Sequence, residues 1–200
     1  MTMAYSYHHI STIEEDVKNQ FTKAHLPQEY KRASLVKALA LKLAAFHGID
    51  KEQVAAAALL HNISRLIPET QYLQTAEEYG VEILPEERKN PYLLHQKISR
   101  ILAVAEFNIS DKEILNAINC HTTLRPSATL LDKIIFLASK QSNDELKEFI
   151  FGTSQIPNNI KELNEAVYSC LFNLLNNTDK VLAVHPWAKQ ALNELKEQTA

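Results

Sequence analysis

Glycine is scarce, at 3 of 200 residues, roughly a fifth of ordinary usage. Few glycines leave few sites for positive-φ turns or for backbone cradles around phosphate. Neither a GxGxxG fingerprint nor a GxxxxGK[ST] loop occurs, which argues against a Rossmann-type dinucleotide fold or a Walker-type nucleotidase. Cysteine is limited to Cys120 and Cys170. Both lie in apolar stretches without CxxC spacing, so they read as buried thiols, not as a disulfide or a zinc site. Neither sign of charge dominates: the net charge is −3 and the pI about 6.2. Without a Lys/Arg block, no nucleic-acid partner is expected. No apolar run reaches about 18 residues, so no membrane partner is expected either. The opening MTMAYSYHHISTIEED holds no basic n-region and no apolar h-region, which makes a cytoplasmic chain the expectation.

What is present is helical. Hydrophobic residues make up 46% and charged residues 22%, globular values that permit a sizeable core. Apolar residues recur at helical spacing along most of the chain, predicting an all-α fold of about eight to ten helices. Residues 1–25 read as an N-terminal helix extension and 26–200 as the main helical domain. Ser11 with Glu14, Asp50 with Gln53, and Ser110 with Glu113 read as capping boxes. Pro27 opens a helix whose expected stripe is Leu35, Leu39, Leu43 and Phe46. Gly48 and Gly80 stand where C-terminal caps belong. Glu69 to Tyr79 reads as a short helix, Pro85 to Asn90 as a polar link, and Pro91 as the start of another helix. Further helices are expected over Ser127 to Ala138, Glu145 to Phe151, Asn159 to Asn176 and Trp187 to Glu197.

Position sorts the eight histidines. His8 and His9 lie near the start, and His25 and His47 near helix ends. His61 follows the apolar run VAAAALL, His95 follows Leu93-Leu94, and His121 ends the apolar stretch Ile114 to Cys120. Three imidazoles at the ends of three helices can converge on a metal ion, or can be separate core-rim histidines. Spacing alone leaves both open.

The segment AAAALLHNISRLIP resembles the signature helix of the HD superfamily of metal-dependent phosphohydrolases, in which an apolar helix ends in His-Asp. The ordered segments EEYGVEI, NPYLLH and LNAINCHTTLRPSATLLDKIIFLAS are similar to the bacterial YqeK-like symmetrical diadenosine-tetraphosphate hydrolases. The likeness spans about residues 26 to 140 and resumes in VLAVHPWAKQAL. It implies an HD-like helical domain over 26–200, a tendency to dimerise, and a dinuclear metal centre, with iron as the expected metal. Two close divalent ions would supply a hydroxide and neutralise phosphate charge.

Carried over residue by residue, the resemblance is uneven. His61, His95 and His121 match three metal ligands. Three other ligand positions hold Ala33, Asn62 and Ser139 in place of His, Asp and Asp. Both anionic donors are thereby lost, which makes a dinuclear iron centre an unfavourable expectation. Three neutral imidazoles leave room for at most one divalent transition ion. Glycines of the family are replaced by Gln96, Leu124 and Ser127, side chains expected to fill part of the pocket. Arg65, Arg125, Thr122 and Asp132 are the remaining candidates for contacts to an anion or substrate. Asp132 also reads as a helix-start residue, Arg65 as a helix C-terminal cation, and the Thr122-Thr123 pair as a cap for the next helix. No confident catalytic residue emerges. Three functions stay open. One is a degenerate HD-domain protein without dinuclear hydrolase activity that binds a nucleotide, another anion or a partner. Another is a residual mononuclear phosphohydrolase acting on nucleotide phosphoanhydrides. The last is a purely structural module. A homodimer is compatible with each.

Overall fold

The computed structural model describes residues 10–141, 157–176 and 185–199, and is all-α. His8, His9, Gly152 and the expected helix at 145–151 lie outside the described residues. The helices are α1 (Ile10–Lys23), α2 (Pro27–Ala44), α3 (Lys51–Leu60), α4 (Tyr72–Glu78), α5 (Pro85–Lys89), α6 (His95–Ala105), α7 (Lys112–Cys120), α8 (Leu130–Gln141), α9 (Ile160–Asn176) and α10 (Pro186–Thr199). Short 3₁₀ turns occupy Ile63–Leu66, Glu69–Gln71 and Pro91–Leu94. No helix among the described residues is long and apolar enough to cross a membrane.

The core is organised around α3. Every residue from Val54 to Leu60 is buried, as expected of a helix that is apolar all round. Fully burying a side chain the size of Leu59 or Leu60 contributes about 1.5–3 kcal/mol. Four alanines in a row keep α3 slim, so α1, α2, α7 and α8 can all pack against it. α2 answers with its own small residues. Ala33, Val36, Ala40, Leu43 and Ala44 face inward, while Leu35 and Phe46 stay exposed. The expected stripe on α2 is therefore rotated, because close approach to α3 favours alanine over leucine at the contact. α1 joins the same core through Ile13, Val17 and Phe21.

Local signals hold at some ends and move at others. Pro27 opens α2, Asp50 accepts from the Glu52 N–H to cap α3, and Gly48 and Gly80 both adopt φ of +64°. Gln53 does not close a box on Asp50; its amide reaches Asp111 Oδ2 at 2.8 Å. Asp111, not Ser110, caps α7 by accepting from the N–H groups of Glu113 and Ile114, and a carboxylate one residue later outcompetes the serine. Glu14 pairs with Lys37 Nζ at 2.6 Å, tying α1 to α2, and the Ser11 side chain expected to share a box with it lies outside the described residues. The stretch at 85–90 is not a link but contains α5. Pro85 sits in its first turn, and Glu87 accepts from the Leu84 N–H at 2.8 Å.

That glutamate is fully buried and takes Lys97 Nζ at 2.7 Å and His185 Nε2 at 3.5 Å, which fastens the segment leading into α10 onto α5 and α6. Burial alone would raise its pKa; the His185, Lys97 and Leu84 contacts outweigh burial and hold it below the usual carboxylate range. Both cysteines are free and buried.

The stretch between α7 and α8 carries backbone suited to glycine. Leu124 adopts φ of +56° and Ser127 φ of +51°, positions where the resembled family has glycine. α8 begins only at Leu130. Its start is closed by Thr129 and Asp132, which exchange bonds between side chains and backbone N–H groups at 2.8 and 3.3 Å. The cap expected of Thr122-Thr123 belongs to Thr129.

A left-handed conformation costs an L-residue about 1–2 kcal/mol, and glycine gives back about 0.5–1 kcal/mol in chain entropy. Ser127 is exposed, so Ser127→Gly is expected to stabilise the fold by roughly 0.5–1 kcal/mol. Leu124 is fully buried, so Leu124→Gly is expected to destabilise it by about 2 kcal/mol or more despite the relieved φ. Urea unfolding of the two variants checks the opposite signs.

Candidate functional site: three histidines at helix ends

His61 is the residue after α3, His121 the residue after α7, and His95 the first residue of α6. All three are buried. Each follows an element whose last carbonyls lack a helical partner, and each ring uses its own Nδ1 to satisfy one of them. His61 Nδ1–H donates to Ala58 O at 2.7 Å, His95 Nδ1–H to Tyr92 O at 2.7 Å, and His121 Nδ1–H to Ile118 O at 2.8 Å. A carbonyl can only accept, so the neutral rings carry their proton on Nδ1 and a lone pair on Nε2. That is the state in which imidazole binds a cation.

The structure brings the three together. The His61 and His121 rings meet edge to face with centroids 4.9 Å apart, and His95 and His121 do the same at 4.9 Å. His95 Nε2 lies 3.1 Å from His121 Nε2. Two lone pairs at that distance repel unless a donor or cation serves them. The Thr122 hydroxyl, 2.8 Å from His95 Nε2, serves one. Among the described residues no three His, Cys, Asp or Glu side chains stand in an arrangement that would by itself hold a metal ion.

The remaining expected positions are accounted for one by one. Ala33 is buried on α2 and offers no donor. Asn62 is half-buried, with its Oδ1 buried and without a hydrogen-bond partner. The Ser139 hydroxyl reaches His121 O at 3.1 Å and Phe136 O at 2.7 Å, so it pins the end of α8 to the end of α7. Gln96 is fully buried and bonds Thr122 N and the Thr123 hydroxyl, while Leu124 is packed into the core. Ser127, expected to intrude, instead points to the surface, because its left-handed turn carries it outward next to Glu194. Arg125 is committed to the fully buried Asp132 at 2.8 Å. Burial raises the Asp132 pKa even though Arg125 and Thr129 oppose it. Arg65 is not a free surface cation. Its guanidinium lies 5.2 Å from the Tyr92 ring centre and donates to the Tyr92 hydroxyl at 3.0 Å. Tyr92 in turn stacks on His95 at 4.7 Å.

Lys140 is the site residue that sequence reasoning missed. It is buried at the end of α8, with Nζ 5.4 Å from the centre of the Phe136 ring. Among the described residues it has no carboxylate partner. Burial brings its pKa down to about 8. The signal was present: Lys140 follows Phe136 by four residues on a helix whose inward positions, Asp132 aside, are apolar.

Burial also dominates the histidines. It pushes His61 down to about 4 and His95 down to about 3, and holds His121 well below its ordinary value; the positive charge of Lys140 pushes all three the same way. The site is thus three neutral imidazoles beside two cations, Lys140 and Arg65, with no carboxylate among its described members.

The HD domain family matches residues 31–144. The chain is 39% identical over 150 residues to a protein of Lactococcus lactis subsp. cremoris named only as an uncharacterized protein in the pepC 5' region, covering 75% of this chain and 76% of that one. It is 31% identical over 168 residues to the symmetrical bis(5'-nucleosyl)-tetraphosphatase of Halalkalibacterium halodurans, covering 78% and 82%. Among solved structures it resembles a Clostridium acetobutylicum protein described as a predicted HD superfamily hydrolase involved in NAD metabolism. That match has 28% identity, a TM-score of 0.78 and coverage of 97% of this chain and 98% of the other.

Because the folded protein keeps these rings unprotonated where the unfolded chain takes up protons, acid works against the fold. Stability is expected to be full above pH 6.5, and to fall as pH drops from 6.5 towards about 4. Each ring contributes a slope of about 1.4 kcal/mol per pH unit within that window. Urea midpoints at pH 7, 6 and 5 check this; a flat profile contradicts neutral burial.

Proposed function

The chain belongs to the HD domain family, and on that premise we propose that it is a member without dinuclear hydrolase chemistry that binds a phosphate-bearing ligand. The observation that carries this reading is the donor set. A pair of divalent ions needs anionic ligands to offset its charge. Here a buried methyl group stands at Ala33, an amide at Asn62, and at Ser139 a hydroxyl already committed to backbone carbonyls. Lys140 and Arg65 add positive charge where a dinuclear centre needs negative. The residues present do not fit two metal ions, and no step through them is derived.

The same charge balance suits an anion. Arg65 is oriented by Tyr92 and keeps donors in reserve, its Nε being buried without a partner. Thr122 stands half-buried beside His95. A nucleotide polyphosphate is the favoured ligand class, since relatives named symmetrical bis(5'-nucleosyl)-tetraphosphatases act on one. Cytoplasmic location accords with such a ligand.

One contact favours a second reading, a mononuclear hydrolase. The 3.1 Å separation of His95 and His121 Nε2 is close to the roughly 3.3 Å spanned by two imidazole nitrogens on a tetrahedral zinc ion. His61, whose ring meets His121 edge to face, would have to turn to complete a three-histidine site with an open position, since the described side chains as they stand form none.

Incubation with diadenosine tetraphosphate and added iron, manganese, cobalt or zinc separates the two readings. The expected outcome is binding seen by calorimetry with no turnover above background. Metal-dependent release of nucleoside diphosphate would establish the second reading instead.

A further inference from the structure

We propose that Glu87, Lys97 and His185 form a lock that sets whether α10 lies on the protein, so that α10 opens as a unit while the core around α3, α6 and α7 stays folded. The three side chains come from α5, from α6 and from the residue before α10, and all are buried. The Glu87 carboxylate is held unevenly. Its Oε2 accepts from Lys97 Nζ at 2.7 Å and from the Leu84 N–H at 2.8 Å, and Lys97 also donates to Glu82 O at 2.8 Å. Its Oε1 faces His185 Nε2 at 3.5 Å, beyond the roughly 3.2 Å of an ordinary N–H···O bond. Neither of these two atoms has a hydrogen-bond partner among the described residues. The strong half of the grip therefore joins α5 to α6, and the weak half holds α10. Buried polar atoms that miss their bonds favour exposure to water, which places the first opening between Glu87 and His185.

His185 carries the state of this contact into α10. Its Nδ1 accepts the Trp187 N–H at 3.2 Å, serving one of the donors that a helix start leaves over. A neutral ring whose Nδ1 accepts has its proton on Nε2, the nitrogen that faces Glu87. A donor standing in place of the carboxylate would force that proton to Nδ1 and cost α10 its cap. Beyond this end α10 adds little bulk to the core. Its buried apolar residues are Ala188, Ala191 and Leu195, so it belongs to the elements that open before the core does. Ala191, Leu195 and Gln198 line one cleft with Leu124, Arg125 and Lys133, and Glu194 accepts the Ser127 N–H. That stretch follows Thr122, whose hydroxyl meets His95 Nε2 at 2.8 Å. α10 is thus a strap on the chain segment whose other end reaches the histidines, and its release frees that segment. This holds whatever the histidines bind.

Hydrogen–deuterium exchange of the full chain, read by mass spectrometry, tests the lock. Glu87→Gln keeps an acceptor for Lys97 and Leu84 but turns an amide donor toward His185. Exchange in α10 is expected to rise by roughly tenfold or more, with α3 and α7 unchanged. His185→Asn, whose short side chain can still cap α10 but cannot reach Glu87, is the second variant should Glu87→Gln fail to fold. It is expected to speed exchange in α10 and the 124–133 stretch and to leave α3 and α7 unchanged. The double variant is expected to exchange in α10 no faster than the faster single variant, because both act through one contact. Exchange that rises throughout the chain, α3 included, overturns the proposal. So does unchanged α10 exchange in a folded variant, or full additivity in the double one.

Discussion

One hydrogen bond, made three times, sets the chemistry of this protein: a histidine Nδ1–H given to the carbonyl three residues back. Each bond uses an acceptor left over at the end of a helix or 3₁₀ turn, so it relieves an unsatisfied carbonyl and orients the ring within a single turn of chain. It also fixes which nitrogen carries the proton. α3, α6 and α7 then need only pack correctly for the three rings to meet, His121 touching both of the others. Because backbone carbonyls, not carboxylates, hold the rings, their orientation survives without any negative charge nearby. That is why the geometry of the site persists beside Ala33, Asn62 and Ser139.

Charge decides what such a site can hold. Burial keeps the imidazoles neutral, Lys140 and Arg65 are positive, and the neighbouring carboxylate at Asp132 is already engaged by Arg125. A dication entering here would face repulsion with no anionic ligand in return, whereas an oxyanion would meet two cations. Packing also shapes the stretch between α7 and α8. There the backbone keeps the left-handed turns that glycine favours, yet Leu124 fills the interior and Gln96 is bonded to Thr122 and Thr123.

Much of the fold was legible because its strongest signals are local. The run VAAAALL announced a wholly buried α3, Pro27 and Gly80 marked element ends, and apolar periodicity found the helices. What failed depended on partners distant in sequence. α5 was read as a link because Glu87 looks like a surface residue until Lys97 and His185 are seen to bury it. The buried face of α2 was misjudged because slim α3 rewards alanine contacts. The three histidines stood out singly, each closing an apolar stretch, but their meeting is a product of tertiary packing. Lys140 was passed over because a lysine at a helix end is ordinarily solvated, and only its burial against Phe136 reveals otherwise.

The central claim is that the histidines form a neutral, Nδ1-protonated set. Long-range ¹⁵N–¹H NMR of the imidazoles at pH 7 tests it most directly, because the Nε2 resonance reports lone pair, proton or metal. Three rings with acceptor-type Nε2 that stay unchanged on adding zinc are the predicted result. Nε2 resonances that carry a proton, or that move together to metal-bound values with one equivalent of zinc, would contradict it.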